Sequence, residues 1–207
     1  MKKTLEGWTI VLNGAWNRKI FTPIWMSENL KIAKEIEVGF ELTPDLPIVY
    51  RQGQWQLRVE NNRLLFGISN DKDEALVEAE RLACLVLTVL KHTPLSGAGV
   101  NFTFIVDQPT DELIRLFKSE DKDELGREGW DIQQWKLMRQ MVRGDTMLNL
   151  HLTLSKSVVS VECNFHTSAT NCDAAVHAIQ DKVLSYKSDA LTVLQNVYHL
   201  SEDTVNV

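Results

Sequence analysis

Little in this chain would staple it, hold it in a bilayer or draw it to polyanions. Three cysteines among 207 residues are too few, and odd in number, for a disulfide framework. A reducing cytoplasm is therefore the expected compartment. No apolar run approaches the ~18 residues that cross a bilayer. The basic start Met1-Lys2-Lys3 is followed by a short apolar run, 8–12, which ends at Asn13-Gly14 before a secretory leader could form. Lysine and arginine number 22 against 28 aspartates and glutamates, and the net charge of −6 disfavours nucleic acid and anionic membrane as partners. Glycine is sparse, and its one cluster, Gly97-Ala98-Gly99, leads from a helix into a strand. Phosphate-cradling loops run the other way, into a helix N-terminus whose free N–H groups do the binding. The cluster reads as a turn.

What is present is an ordinary globular composition, 44% hydrophobic and 24% charged. The length suits one large domain or two small ones sharing a core. The clearest signal has period two, the mark of a half-buried strand. Ile36, Val38, Phe40 and Leu42 alternate with polar residues and glycine, and Pro44 and Pro47 then break the chain. Trp55, Leu57 and Val59 lead to Asn61-Asn62, and Leu64, Phe66 and Ile68 answer them. A two-residue turn there pairs Val59 with Leu64, Leu57 with Phe66 and Trp55 with Ile68, so that all six share one face. Asparagine tolerates the positive φ of a type I′ turn.

A helix capped by Asn70 or Asp71 is expected to run to about His92. Its second half, 82–90, is apolar almost all round and must be covered on every side. A strand over Val100, Phe102, Phe104 and Val106 follows, then a short helix at 111–117 and a charged, Gly-punctuated loop at 119–131. Strand grammar resumes at 135–142, where both faces are mixed. Leu148, Leu150, Leu152 and Leu154 alternate next, answered by Val159, Val161, Cys163 and Phe165. Parity favours Leu152 opposite Val159 and Leu150 opposite Val161. A long helix over about 173–200 carries the stripe Val176, Ile179, Val183, Tyr186, Ala190, Val193 and Val197. Before the first half, 8–26 reads as a small Asn13-Gly14 hairpin and a helix opened by Thr22-Pro23.

The expected fold is α+β, with antiparallel sheets packed on long helices in two similar β-hairpin-plus-helix halves, an internal structural duplication around 33–106 and 133–200. The corresponding segments are an N-terminal hairpin and helix (1–32), a first half (33–118), a charged linker (119–132) and a second half (133–207).

Candidate chemistry is thin. Cys163, His166, Cys172 and His177 form C-x2-H-x5-C-x4-H, four possible zinc ligands in fifteen residues. The spacing matches no established zinc pattern, and Cys163 belongs to the apolar face of its strand while His166 points the other way. Core cysteines and surface histidines account for them. His151 and Asn149 lie on a polar strand face, with Ser160 and Glu162 opposite in the register above. That invites a triad reading with His151 and Glu162 as catalytic candidates, but a flat strand supplies no oxyanion donors. Glu35, Glu37 and Glu41 read as a solvated strand face. Six tryptophans are many for this length. Trp55 is core by register, whereas Trp8, Trp16, Trp25 and Trp130 fall outside any clear apolar stripe and are candidates for an interface.

No cofactor is implied. The reading that follows is a non-catalytic protein-interaction or assembly subunit, working as a homodimer or within a larger complex. An enzyme with a site between the halves, and a chaperone-like module holding extended peptide, are the alternatives.

Overall fold

A computed structural model describes residues 1–39, 47–144 and 146–202. In chain order the elements are β1 (Lys2–Lys3), β2 (Thr9–Gly14), α1 (Pro23–Leu30), β3 (Glu37–Gly39), β4 (Ile48–Gln52), β5 (Trp55–Val59), β6 (Arg63–Ile68), α2 (Asp73–Val89) and β7 (Leu95–Val106). There follow α3 (Asp111–Arg115), α4 (Lys122–Arg127), β8 (Gln134–Arg143), β9 (Thr146–Ser155), β10 (Val158–Thr167), α5 (Cys172–Ile179) and α6 (Val183–Tyr198). The fold is α+β. Its helices are mostly short, and among the described residues none is long and apolar enough to cross a membrane.

All ten strands join one antiparallel sheet in the order β3-β4-β5-β6-β2-β7-β10-β9-β8, with β1 beside the far end of β7. Outward from the central β2–β7 pair, β6-β5-β4 on one flank is matched by β10-β9-β8 on the other. The sheet thus runs unbroken across the middle of the molecule, where Thr9 pairs with Asn101 and Leu12 with Ala98.

Parity settles one hairpin outright. Val59 faces Leu64, Leu57 faces Phe66 and Trp55 faces Ile68, as the alternation requires. The connecting turn is not type I′, because neither Asn61 nor Asn62 has positive φ. Instead the carbonyls of Asn62 and Asn61 accept from the backbone N–H groups of Gly14 and Trp16. The same contacts show that Asn13-Gly14 is not a hairpin tip: β2 is a central strand, paired with β6 and β7.

The second registered hairpin shifts by two residues from its expected pairing. Val159 faces Leu154 and Val161 faces Leu152. Lys156 takes a left-handed φ of 56°, which closes the loop in two residues and keeps parity while moving every partner. Gly97, Ala98 and Gly99 lie inside β7 and are no turn. A Cβ on Gly99 would sit 2.8 Å from the Phe165 carbonyl oxygen, and one on Gly97 would meet the His166 ring at 2.8 Å. Of the first expected strand, Glu37–Gly39 is present, while Phe40, Leu42 and the break at Pro44 lie outside the described residues.

The helices cover one face. Ile10, Leu12, Leu57, Phe66, Phe102, Phe104, Leu150, Leu152 and Val161 point into it and are almost wholly buried. Helix α1 starts where expected, capped by the Thr22 hydroxyl accepting from Trp25 N–H, with Pro23 at its first position. Helix α2 packs on β2, β5 and β6 and against α1, α5 and α6 of the same chain. Leu82, Ala83, Val86 and Leu87 are buried, and Val89 remains 39% exposed.

The long C-terminal helix is in fact two. Asp181 adopts φ of 59° between α5 and α6, so the ladder of helical hydrogen bonds stops and restarts. The α6 start is held from α2, where the Glu80 carboxylate accepts from the backbone N–H groups of Asp181 at 2.7 Å and Val183 at 2.9 Å.

Candidate functional site

Because strand side chains alternate, each strand that buries one row turns the other row to the opposite face. On β9 and β10 that second row is Asn149, His151, Thr153, Ser160, Glu162, Asn164 and His166, all half-exposed. Charged and large side chains continue it outward: Arg58 and Arg51 on one flank, Lys136 and Met138 on the other.

A chain of hydrogen bonds crosses this face at right angles to the strands. Gln140 Nε2 donates to Asn149 Oδ1 at 3.0 Å, and Asn149 Nδ2 to Asn164 Oδ1 at 3.1 Å. Asn164 Nδ2 donates to Asn101 Oδ1 at 2.5 Å, and Asn101 Nδ2 to the Thr9 hydroxyl at 3.2 Å. Each residue is the direct cross-strand neighbour of the next, through β8, β9, β10, β7 and β2. An amide both accepts and donates, so every member holds its neighbour's orientation.

One row along, His151 faces Glu162 directly. The His151 Nδ1 lies 3.9 Å from Glu162 Oε2, with the side chains 36% and 47% exposed. Ser160 is in the next row, opposite Thr153. Both β9 and β10 are paired on both sides, which commits their backbone N–H groups to the ladder and leaves none aimed at a reacting oxyanion. The geometry of the pair is that of a loose, solvent-facing contact across two strands.

The sulfur and imidazole candidates are dispersed. Cys163 faces the core with no exposed surface, and burial pushes its thiol up to about 12. His166 lies on the opposite face, against Gly97. Cys172 is buried at the start of α5, its thiol directed at the Leu90 carbonyl at 3.5 Å and raised by burial. His177 is exposed on α5. Among the described residues no three His, Cys, Asp or Glu side chains gather as a metal site.

Of the four tryptophans singled out, two lie in the chain's own core. Trp8 is fully buried, edge-on to Phe102 at 5.1 Å and Phe104 at 5.6 Å, with Nε1 donating to the Thr103 carbonyl at 3.0 Å. Trp16 is 4% exposed and donates to the Leu12 carbonyl at 2.9 Å. Trp25 is half-buried against Phe21. Trp130, at 71% exposed, stands just ahead of β8.

Strand β8 is an edge, and its apolar residues are poorly covered. Met138 is 66% and Val142 71% exposed on the polar face, while Trp135, Leu137 and Met141 are half-buried on the core face. Arg139 donates to the Tyr198 hydroxyl at 2.9 Å, and Arg143 pairs with Asp189. Between them, a crevice of about 110 Å3 opens under the strand, lined by Met141, Leu148, Phe165 and Val193.

Compared with known proteins, the chain matches no protein-family model and no curated protein. The amide row escaped sequence reasoning, which had noted Asn149 alone. Asn101, Asn164 and Gln140 do sit at outward parity positions on their strands, but only the registers across β8, β9, β10, β7 and β2 bring them into line.

Proposed function

We propose that the protein is a non-catalytic interaction subunit that presents the uncovered face of its sheet to another protein. The observation that carries this reading is the row Gln140–Asn149–Asn164–Asn101–Thr9. Polar side chains already fixed by one another lose little rotamer freedom when a partner arrives, and that loss is a main cost of association. Thr9 is buried at the end of the row, and the unused lone pairs and N–H groups of Gln140, Asn149, Asn164 and Asn101, which are partly or fully exposed, remain available for direct or water-bridged contacts. The mirrored strand order supports a duplicated unit, with β2 and β7 in corresponding positions. Three free cysteines fit a reducing compartment, and the acidic net charge fits a protein partner better than a nucleic acid.

The test is a comparison of variants against whatever co-purifies from the native cell. Asn164→Arg and Thr153→Arg place charge on the open face, and Val77→Arg, at a position 48% exposed on α2, serves as the control. The reading predicts that the first two lose the partner and the third retains it. Retention by all three would refute it.

A further inference from the structure

Strand β8 ends the sheet, and no described strand pairs with its outer side. Its pairing with β9 is regular from Gln134 opposite Ser155 to Arg143 opposite Thr146, with no bulge. The strand contains no proline or glycine. A long, regular edge with exposed apolar side chains is a template for another strand, and Met138 and Val142 supply those side chains.

The charges say which strand. Chain segment 119–131 carries Glu120, Asp121, Asp123, Glu124, Glu128 and Asp131 against only Lys122 and Arg127. Strand β8 then carries Lys136, Arg139 and Arg143 with no acid. Such a gradient is self-complementary under a two-fold axis: antiparallel pairing sets one copy's acidic entry beside the other's basic exit, and does so twice.

We propose that the protein is a homodimer joined by antiparallel pairing of β8 with β8 of a second copy. With the axis at Leu137, Trp135 faces Arg139, Gln134 faces Gln140 and Lys136 faces Met138 within β8, and residues 131–133, which precede the strand, extend the pairing so that Asp131 faces Arg143 and Ile132 faces Val142. No like charges are opposed, and two exposed apolar residues find partners. The joined sheet doubles the area of the polar face. The inference rests on the edge strand alone and goes beyond the open-face reading, so the two fail separately.

The test is molar mass by light scattering on the full chain at micromolar concentration. Wild type should run at twice the 23.6 kDa of one chain. Met138→Lys sets two Lys–Lys pairs across the axis and should weaken the dimer by about tenfold or more. Position 138 is exposed, so the thermal melt of the dilute monomer should not change. Adding Lys136→Glu to Met138→Lys turns both repulsions into ion pairs and should restore the dimer. A monomeric wild type, meaning that the edge is left for a different chain, overturns the proposal. So does an undiminished dimer in the Met138→Lys variant, and failure of the double variant to recover refutes the stated register.

Discussion

Replacing Glu80 by alanine should destabilise the protein by about 2–4 kcal/mol, although Glu80 belongs to no polar site. Its side chain is 9% exposed on α2, yet it closes a junction 101 residues away by accepting from Asp181 N–H and Val183 N–H. Both donors are orphans of the helix break. Asp181 is left-handed, and Val183 opens α6, where no preceding turn offers a carbonyl. Leaving a buried donor unsatisfied costs about 1–3 kcal/mol, and removing negative charge from a helix N-terminus costs a further ~0.3–1 kcal/mol. The Asp181 donor is only part-buried, so water recovers some of its share, whereas the Val183 donor is buried. Exposed ion pairs such as Lys2–Asp107 contribute far less, about 0–1 kcal/mol. Glu80→Gln keeps one carbonyl acceptor but aims an NH2 at the other N–H, and should fall between wild type and alanine. Urea unfolding followed by circular dichroism measures this, provided the slope with denaturant is unchanged. A Glu80→Ala variant within about 0.5 kcal/mol of wild type would show that the junction is held by something else.

Other consequences concern the same packing. Gly99→Ala forces a methyl to within 2.8 Å of the Phe165 carbonyl and should cost about 1–3 kcal/mol, whereas Gly126→Ala, with open space around it on α4, should stabilise by up to about 1 kcal/mol; thermal melts separate the two. Cys163 is wholly buried and its thiol pushed up to about 12 by that burial, so a thiol reagent at pH 8 should not find it in the folded protein, while half-buried Cys84, also pushed up to about 12, should label slowly; rapid labelling of Cys163 would contradict the burial. A hydrogen bond from Lys3 holds Asp71 below its usual range. The stability it adds is present above the ordinary carboxylate pKa and is lost as the pH falls through the depressed value. Asp71→Asn should therefore flatten the acid limb of a stability–pH curve slightly, by under about 1 kcal/mol because the pair is exposed.

Much of the sheet can be read from alternation, because each strand buries one parity and wets the other. For 55–68 this settles the register to the residue. For 148–165 it settles only the parity, since the tight turn depends on Lys156 taking a left-handed φ, which a lysine does not advertise. Gly97 and Gly99 look like turn residues in isolation and are strand residues because His166 and the Phe165 carbonyl occupy their Cβ space. The apolar stripe of 173–200 is continuous, but the chain breaks at Asp181, where a carboxylate from α2 replaces helical carbonyls. The candidate face was half visible: His151 and Glu162 share it as expected, yet they face each other only in the shifted register. The amide row needed five strands aligned at once, and the central β2–β7 pairing joins segments some ninety residues apart that no local pattern connects.

An uncovered sheet face that meets another protein should lie within crosslinking reach of it. Photo-crosslinking in the native cell tests this most directly, with the reactive side chain placed at position 162 on that face and, separately, at position 77 on α2. Position 162 should give a discrete adduct with another polypeptide and position 77 none. Adducts from 77 with none from 162 would contradict contact through that face.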